Sequence, residues 1–320
     1  MPAAASTSAH SCAWPRLAAL RIAVSITPYD DLVSDPIQGG DDVATSHGRG
    51  DVAARMLSER ADDWQKEWTM AMVIRTKDEI PDDAYRTMVL TLMDKQAGRE
   101  VATAEVFGQC VLHAPTVEDK IRITRFQAEE LKHFQLIGRL MRDLGVDMDA
   151  YVQNRQKAGA RFTGDEADMQ IRDWIDATMF NFVIDRAATF QLGEYTKGSY
   201  LPLADANRII LKEEEGHKSF GEVCLEEMCR DPATRAEIQR RFAKWFVASM
   251  RIFGRAGTPG NAYCLRVGLK TRDSGDVAAA YLDSIRPVMA ACGLRFPARA
   301  ELPLDLPPQV DLDVPVGVVS

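Results

Sequence analysis

Lys212-Glu213-Glu214-Glu215-Gly216-His217 decides the fold, because Gln127-Ala128-Glu129-Glu130-Leu131-Lys132-His133 repeats its chemistry. Both stretches contain Glu-x-x-His. On a helix, residues three apart share a face, so Glu130 with His133, and Glu214 with His217, can each offer a carboxylate and an imidazole to one point. Each stretch is then half of a dinuclear metal site, which needs one more carboxylate from each of two further helices. The chain supplies them, with Glu100 standing 30 residues before Glu130 and Asp185 standing 29 before Glu214. It reads as a duplicated helix pair, acid then Glu-x-x-His, twice over.

The breakers fall where such pairs need them. Ile80-Pro81-Asp82-Asp83-Ala84 predicts a helix start, with proline and acids where the first turn and the helix dipole favour them. That helix runs to about His113, where Ala114-Pro115-Thr116 breaks it. Thr116 opens a second helix that continues to Leu144 and stops at Gly145. A polar connection over 147–165 leads to a third helix from about Glu166 to Lys197, ended by Gly198 and Pro202. The fourth starts near Ala204, and Asp231-Pro232 opens a fifth. Past Gly254 the chain loosens through Gly257-Thr258-Pro259-Gly260, then forms a last helix over about Ser274 to Cys292. Hardly any stretch alternates with period two. The expected class is all-α: a ferritin-like four-helix bundle with additional N- and C-terminal helices. Residues 1–60, rich in Ala, Ser, Gly and Asp, are expected to be a disordered or loosely docked arm. The bundle is placed at 61–254, including a first helical stretch with Trp64 and Trp68, and a C-terminal helical extension and tail at 255–320.

Six residues are therefore the expected metal ligands and catalytic centre: Glu100, Glu130, His133, Asp185, Glu214 and His217. Two Glu-x-x-His matches among five histidines arise by chance in about a few per cent of chains of ordinary composition. Asp185 adds to that, since it follows Asn181-Phe182-Val183-Ile184 and precedes Ala187-Ala188, and a charge in such surroundings needs a partner. Glu105 is turned about 140° from Glu100 around the helix, so only one can face the site, and the matched offset favours Glu100. Glu194 is the fallback acid on the third helix. Glu129, Glu213 and Glu215 are read as solvated or ion-paired neighbours. Gln191, Tyr195 and His113 are read as packing or surface groups. Four carboxylates and two imidazoles form an oxygen-rich donor set that suits two iron ions, with manganese as second choice. A reduced iron pair with open positions activates O₂, and the protein shapes the pocket.

Composition narrows the partners. A formal charge of −8 and no polybasic run argue against nucleic acid and against an anionic membrane surface. The cysteines show neither zinc nor iron–sulfur spacing, so they read as incidental thiols of a reducing cytoplasm. No apolar run approaches the roughly 20 residues that span a bilayer. Trp14 to Ile26 is interrupted by Pro15, Arg16 and Arg21, which disfavours a signal peptide. No dinucleotide fingerprint is present either, so electrons must come from an external NAD(P)H-dependent reductase.

These residues resemble the catalytic A subunits of phenylacetyl-CoA epoxidase, ferritin-like di-iron proteins. The similarity runs through Pro81-Asp82-Asp83-Ala84-Tyr85-Arg86, Ala97-Gly98-Arg99-Glu100, Ala114-Pro115-Thr116, Glu130 to His133, Asp185-Arg186-Ala187-Ala188, Lys212 to His217, Phe253-Gly254 and Ala291-Cys292-Gly293-Leu294-Arg295-Phe296-Pro297. It covers roughly residues 80 to 298, and Asp at position 185 matches where many related proteins use Glu. The resemblance implies a cytoplasmic non-haem di-iron monooxygenase that puts one oxygen of O₂ into the ring of an aromatic CoA thioester and releases the other as water. It also implies an oligomer, a separate reductase and a second bundle subunit. In that family an Arg nine residues before the first glutamate and a Lys four before the first Glu-x-x-His glutamate help hold CoA. Here these positions are Thr91 and Phe126. An aromatic or amine substrate without CoA, and a ferroxidase or iron-handling role, remain the alternatives.

Overall fold

A computed structural model describes residues 73–157 and 170–313. The expected arm at 1–60 and the stretch with Trp64 and Trp68 lie outside them. Among the described residues the chain is helical, with α1 at Asp83–His113, α2 at Val117–Asp143, α3 at Met148–Lys157, α4 at Trp174–Met179, α5 at Arg186–Tyr195, α6 at Leu201–Met228, α7 at Pro232–Arg251, α8 at Pro259–Arg266 and α9 at Ser274–Ala291. A π turn, Phe180–Asp185, joins α4 to α5. The all-α, ferritin-like class expected from the sequence is the class observed. No described helix is long and apolar enough to cross a membrane.

Local chemistry sets the helix ends. Asp82 Oδ1 accepts the Tyr85 amide at 2.7 Å, capping α1, and Thr116 Oγ1 accepts the Asp119 amide at 3.0 Å, capping α2. Pro81 thus precedes the cap instead of standing inside the first turn. Gly145, at φ +88°, closes α2 in the left-handed conformation that side chains resist. Pro202 does not terminate the third helix as the sequence implied. It lies in the first turn of α6, where its missing amide has no intrahelical partner to lose. The connection after α2 holds a helix of its own, α3, and the glycine-rich link after Gly254 holds α8, capped by Thr258.

Two apolar clusters lie along the bundle. One joins Phe107, Phe126, Phe180, Phe182, Phe242, Trp245 and Tyr281, so α7 and α9 pack into the same core as α1, α2 and the π turn. The other gathers Tyr85, Met93, Ala97, Ile137, Leu203 and Ile210. The link between α5 and α6 is stitched from both sides: the Ile74 amide donates to Ser199 O, the Leu201 amide to Ile74 O, and the Ser199 amide to Gly268 O. Cys110, Cys229, Cys264 and Cys292 are buried as free thiols.

Candidate metal centre

On α1 the buried positions Tyr85, Val89, Leu92, Met93, Gln96, Ala97 and Glu100 follow the helical repeat, so Glu100 extends an otherwise core-facing stripe. Glu105 is exposed. On α2 the stripe is Ile123, Phe126, Glu130, His133 and Ile137, and on α6 it is Ile210, Glu214, His217 and Gly221. Asp185 is the last residue of the π turn. All six residues singled out by the sequence are buried, none exposing more than 6% of its surface.

The imidazoles face each other across two carboxylates. His133 Nδ1 lies 3.7 Å from Glu130 Oε2 and 3.3 Å from Glu214 Oε1, while His217 Nδ1 lies 3.3 Å from Glu130 Oε1 and 3.5 Å from Glu214 Oε2. Glu130 and Glu214 therefore bridge the two histidines, each with one oxygen per ring. Glu100 Oε2 stands on the His133 side at 3.5 Å. Asp185, whose Oδ2 has no hydrogen-bond partner, feels the charge of His217, which opposes the upward push of burial and of the neighbouring glutamates. Donor atoms of Glu100, Glu130, His133 and Glu214 all fall within 4.8 Å of one another.

This cluster has the chemistry of a site built for cations. Glu130 Oε1, His133 Nδ1, Asp185 Oδ2 and His217 Nδ1 are buried without a hydrogen-bond partner. Among the described residues, the cations within ion-pair distance of the clustered glutamates are the two histidines. The crowding shows in the titrations. Burial first, then the neighbouring carboxylates, push Glu100 up to about 8 and Asp185 well above the usual range. Burial would raise Glu214 as well, but the two histidines beside it outweigh that and hold it at about 2. Burial pulls the histidines down, but their carboxylate partners outweigh it, lifting His217 to about 12 and His133 above its ordinary value. Such a packed set of acids fits two divalent ions that would take the place of the imidazole protons.

The outward ring nitrogens reveal a pairing that helix spacing alone missed. His133 Nε2 lies 2.9 Å from Glu213, and His217 Nε2 lies 3.0 Å from Glu129. Each histidine is held by the glutamate that precedes the opposite motif's ligand. An ionised carboxylate only accepts, so Nε2 carries the proton and Nδ1 is turned inward. The signal was present in the sequence, since both motifs read Glu-Glu-x-x-His. Glu215 instead pairs with Lys218 on the surface.

The surroundings of the two rings differ. His217 is packed against Phe126, with ring centroids 4.2 Å apart, and against Phe107 at 5.4 Å. On the Glu100 side the neighbours are polar: Gln96 Nε2 donates to Glu100 Oε1 at 3.1 Å and to Asn207 Oδ1 at 2.9 Å. Glu194, the fallback ligand, stays out of the cluster and is held by Thr271 and Arg272. Gln191 and Tyr195 bond each other inside the bundle.

The sequence model of the "Phenylacetic acid catabolic protein" family matches residues 61–305. Benzoyl-CoA oxygenase component B of Aromatoleum evansii is 27% identical over 157 residues, which are 45% of this chain and 32% of that protein. The A component of 1,2-phenylacetyl-CoA epoxidase from Escherichia coli (strain K12) is 22% identical over 227 residues, or 70% of this chain and 73% of that protein. The chain thus spans about a third of the first of these relatives. Both names denote oxygenase or epoxidase components.

Proposed function

The chain belongs to the phenylacetic acid catabolic protein family, and we propose that it is the di-iron subunit of an O₂-dependent monooxygenase acting on an aromatic CoA thioester. Glu100 with His133, and Asp185 with His217, would each hold one iron, and Glu130 and Glu214 would bridge the pair. The observation that carries this reading is the double bridge: two buried carboxylates, each with one oxygen toward each histidine's unpartnered Nδ1. A reduced iron pair supplies the two-electron activation of O₂.

The chain's own residues do the rest. Glu129 and Glu213 fix the histidine tautomers. Phe107, Phe126 and Phe180 pack the His217 side and keep water from it. Substrate, O₂, two electrons and two protons would give the oxygenated ring and water, with an external reductase as electron source and a second bundle subunit in the assembly. A specific observation favours a second reading, a substrate without CoA. Phe126 is buried against His217, and Thr91 Oγ1 bonds back to Thr87 O, so neither offers a cation to a phosphate.

The test is iron analysis of the purified full chain, followed by O₂ uptake with a chemical reductant and phenylacetyl-CoA, benzoyl-CoA or the free acids. About two irons per chain and thioester-dependent uptake are expected. Absence of bound iron would overturn the di-iron reading, and uptake with the free acids alone would replace the thioester by the second reading.

A further inference from the structure

Gly221 lies one turn beyond His217 on the ligand face of α6, and its packing is unlike that of the other described glycines. A Cβ placed there would meet the carbonyl carbon of Asn181 and the amide nitrogen of Phe182 at 2.6 Å, and Asn181 Cβ at 2.9 Å. The two closest contacts are with the backbone of the π turn, which cannot rotate aside as a side chain would. Asp185 ends that turn, four residues after Asn181, and His217 stands four residues before Gly221 on α6. Moving one turn forward along α6 from one proposed ligand is therefore moving one turn back along the π turn from the other.

Asn181 contributes from within the turn. Widening a helix from α to π takes carbonyls off the regular ladder, and Asn181 Nδ2 donates to Ala177 O at 2.9 Å. The side chain thus supplies a backbone partner where the helix changes register.

We propose that Gly221 is a positioning residue for Asp185: its missing side chain lets α6 touch the backbone of the π turn, and that contact, with the Asn181 side-chain bond, seats Asp185 against the second metal position. The proposal rests on the di-iron reading for its metal, though not for its packing. An added methyl at 221 must push the turn outward by several tenths of an ångström, and Asp185 moves with it.

The experiment reconstitutes the full chain anaerobically with ferrous iron and compares wild type, Gly221→Ala, Asn181→Ala, Asp185→Ala and Gly193→Ala. Gly193 is on α5, and a Cβ there meets nothing within 4 Å. Gly221→Ala and Asn181→Ala should fall from about two irons per chain to about one, as Asp185→Ala does, with loss of one of the two Mössbauer signals. Gly193→Ala should keep both. Amide exchange over residues 182–186 should be at least tenfold faster in Gly221→Ala. A folded Gly221→Ala with two irons and wild-type spectrum overturns the proposal. Should that variant fail to fold, unchanged iron content and spectrum in Asn181→Ala overturn it instead. A wild type without iron sinks the di-iron reading, and the exchange comparison then decides the packing claim by itself, with unchanged exchange counting against it.

Discussion

The two helix pairs carry the same ligand pattern on different backbones. In the first, Glu100 stands on α1, an uninterrupted helix of 31 residues. In the second, Asp185 stands at the end of a π turn between α4 and α5. The position one turn past the histidine differs accordingly: it is Ile137 on α2, a buried core residue, and Gly221 on α6, where a side chain would strike the turn. The chain therefore repeats its chemistry without repeating its packing. One acid is placed by helical period alone, and the other by a local change of period that a glycine accommodates.

The largest expected effects break the symmetry between bridging and terminal ligands. Glu130→Ala and Glu214→Ala each remove an oxygen from both histidine neighbourhoods, so both should abolish iron binding and O₂ uptake. Glu100→Ala and Asp185→Ala should each leave about one iron per chain. Iron content with circular dichroism checks this, because helical content should be unchanged. If Glu130→Ala kept one iron while Glu100→Ala lost both, the bridging assignment would be reversed.

A smaller effect tests whether the two halves are equal at their outer edge. Glu129 and Glu213 hold opposite histidines with nearly equal distances, 3.0 and 2.9 Å. Loss of such an outer carboxylate costs roughly 10–100-fold in metal affinity. Glu129→Gln and Glu213→Gln should each weaken iron binding by that amount in a chelator competition. His217 lies against Phe126 and Phe107, which hold its ring without help, so the Glu129 variant should be the milder of the two. A stronger effect at Glu129 would show that the aromatic packing does not orient His217.

The repeat was legible because ligand spacing follows helical geometry: the helical angle allowed only one of Glu100 and Glu105 to face the site, and the matched offset chose Glu100. The π turn was not legible: a local change from i→i+4 to i→i+5 hydrogen bonding leaves Asn181-Phe182-Val183-Ile184-Asp185 as apolar as before. Cross-pairing of Glu129 and Glu213 was hidden for a different reason. Each lies four residues before its own histidine, yet reaches the histidine of the other motif, and that depends on how α2 and α6 face one another. Pro202 could end one helix or begin the next, and only the link stitched through Ser199 shows which. The helices α3 and α8 span only 10 and 8 residues, so periodicity had little to report.

The smallest expected effect concerns what fastens the second pair. Glu194, the penultimate residue of α5 and fully buried, accepts the amides of Thr271 and Arg272, the Thr271 hydroxyl and the Arg272 guanidinium. It ties the helix that follows Asp185 to the segment before α9. Burial would raise its pKa, but these hydrogen bonds and the Arg272 charge outweigh it, so the carboxylate is held below its ordinary value. Breaking a buried pair costs about 3–5 kcal/mol, but Arg272 keeps 41% of its side chain exposed and Gln retains an acceptor, so Glu194→Gln should cost about 1–2 kcal/mol at neutral pH. The sign of the pH dependence follows from the lowered pKa. Stabilisation is fully present above the unfolded value of about 4.3 and is lost as pH falls through the lower folded value. Urea unfolding of wild type and Glu194→Gln should thus differ most near pH 7 and converge as pH drops below about 4. A gap of constant size down to pH 3 would mean that the tie does not depend on the carboxylate's charge.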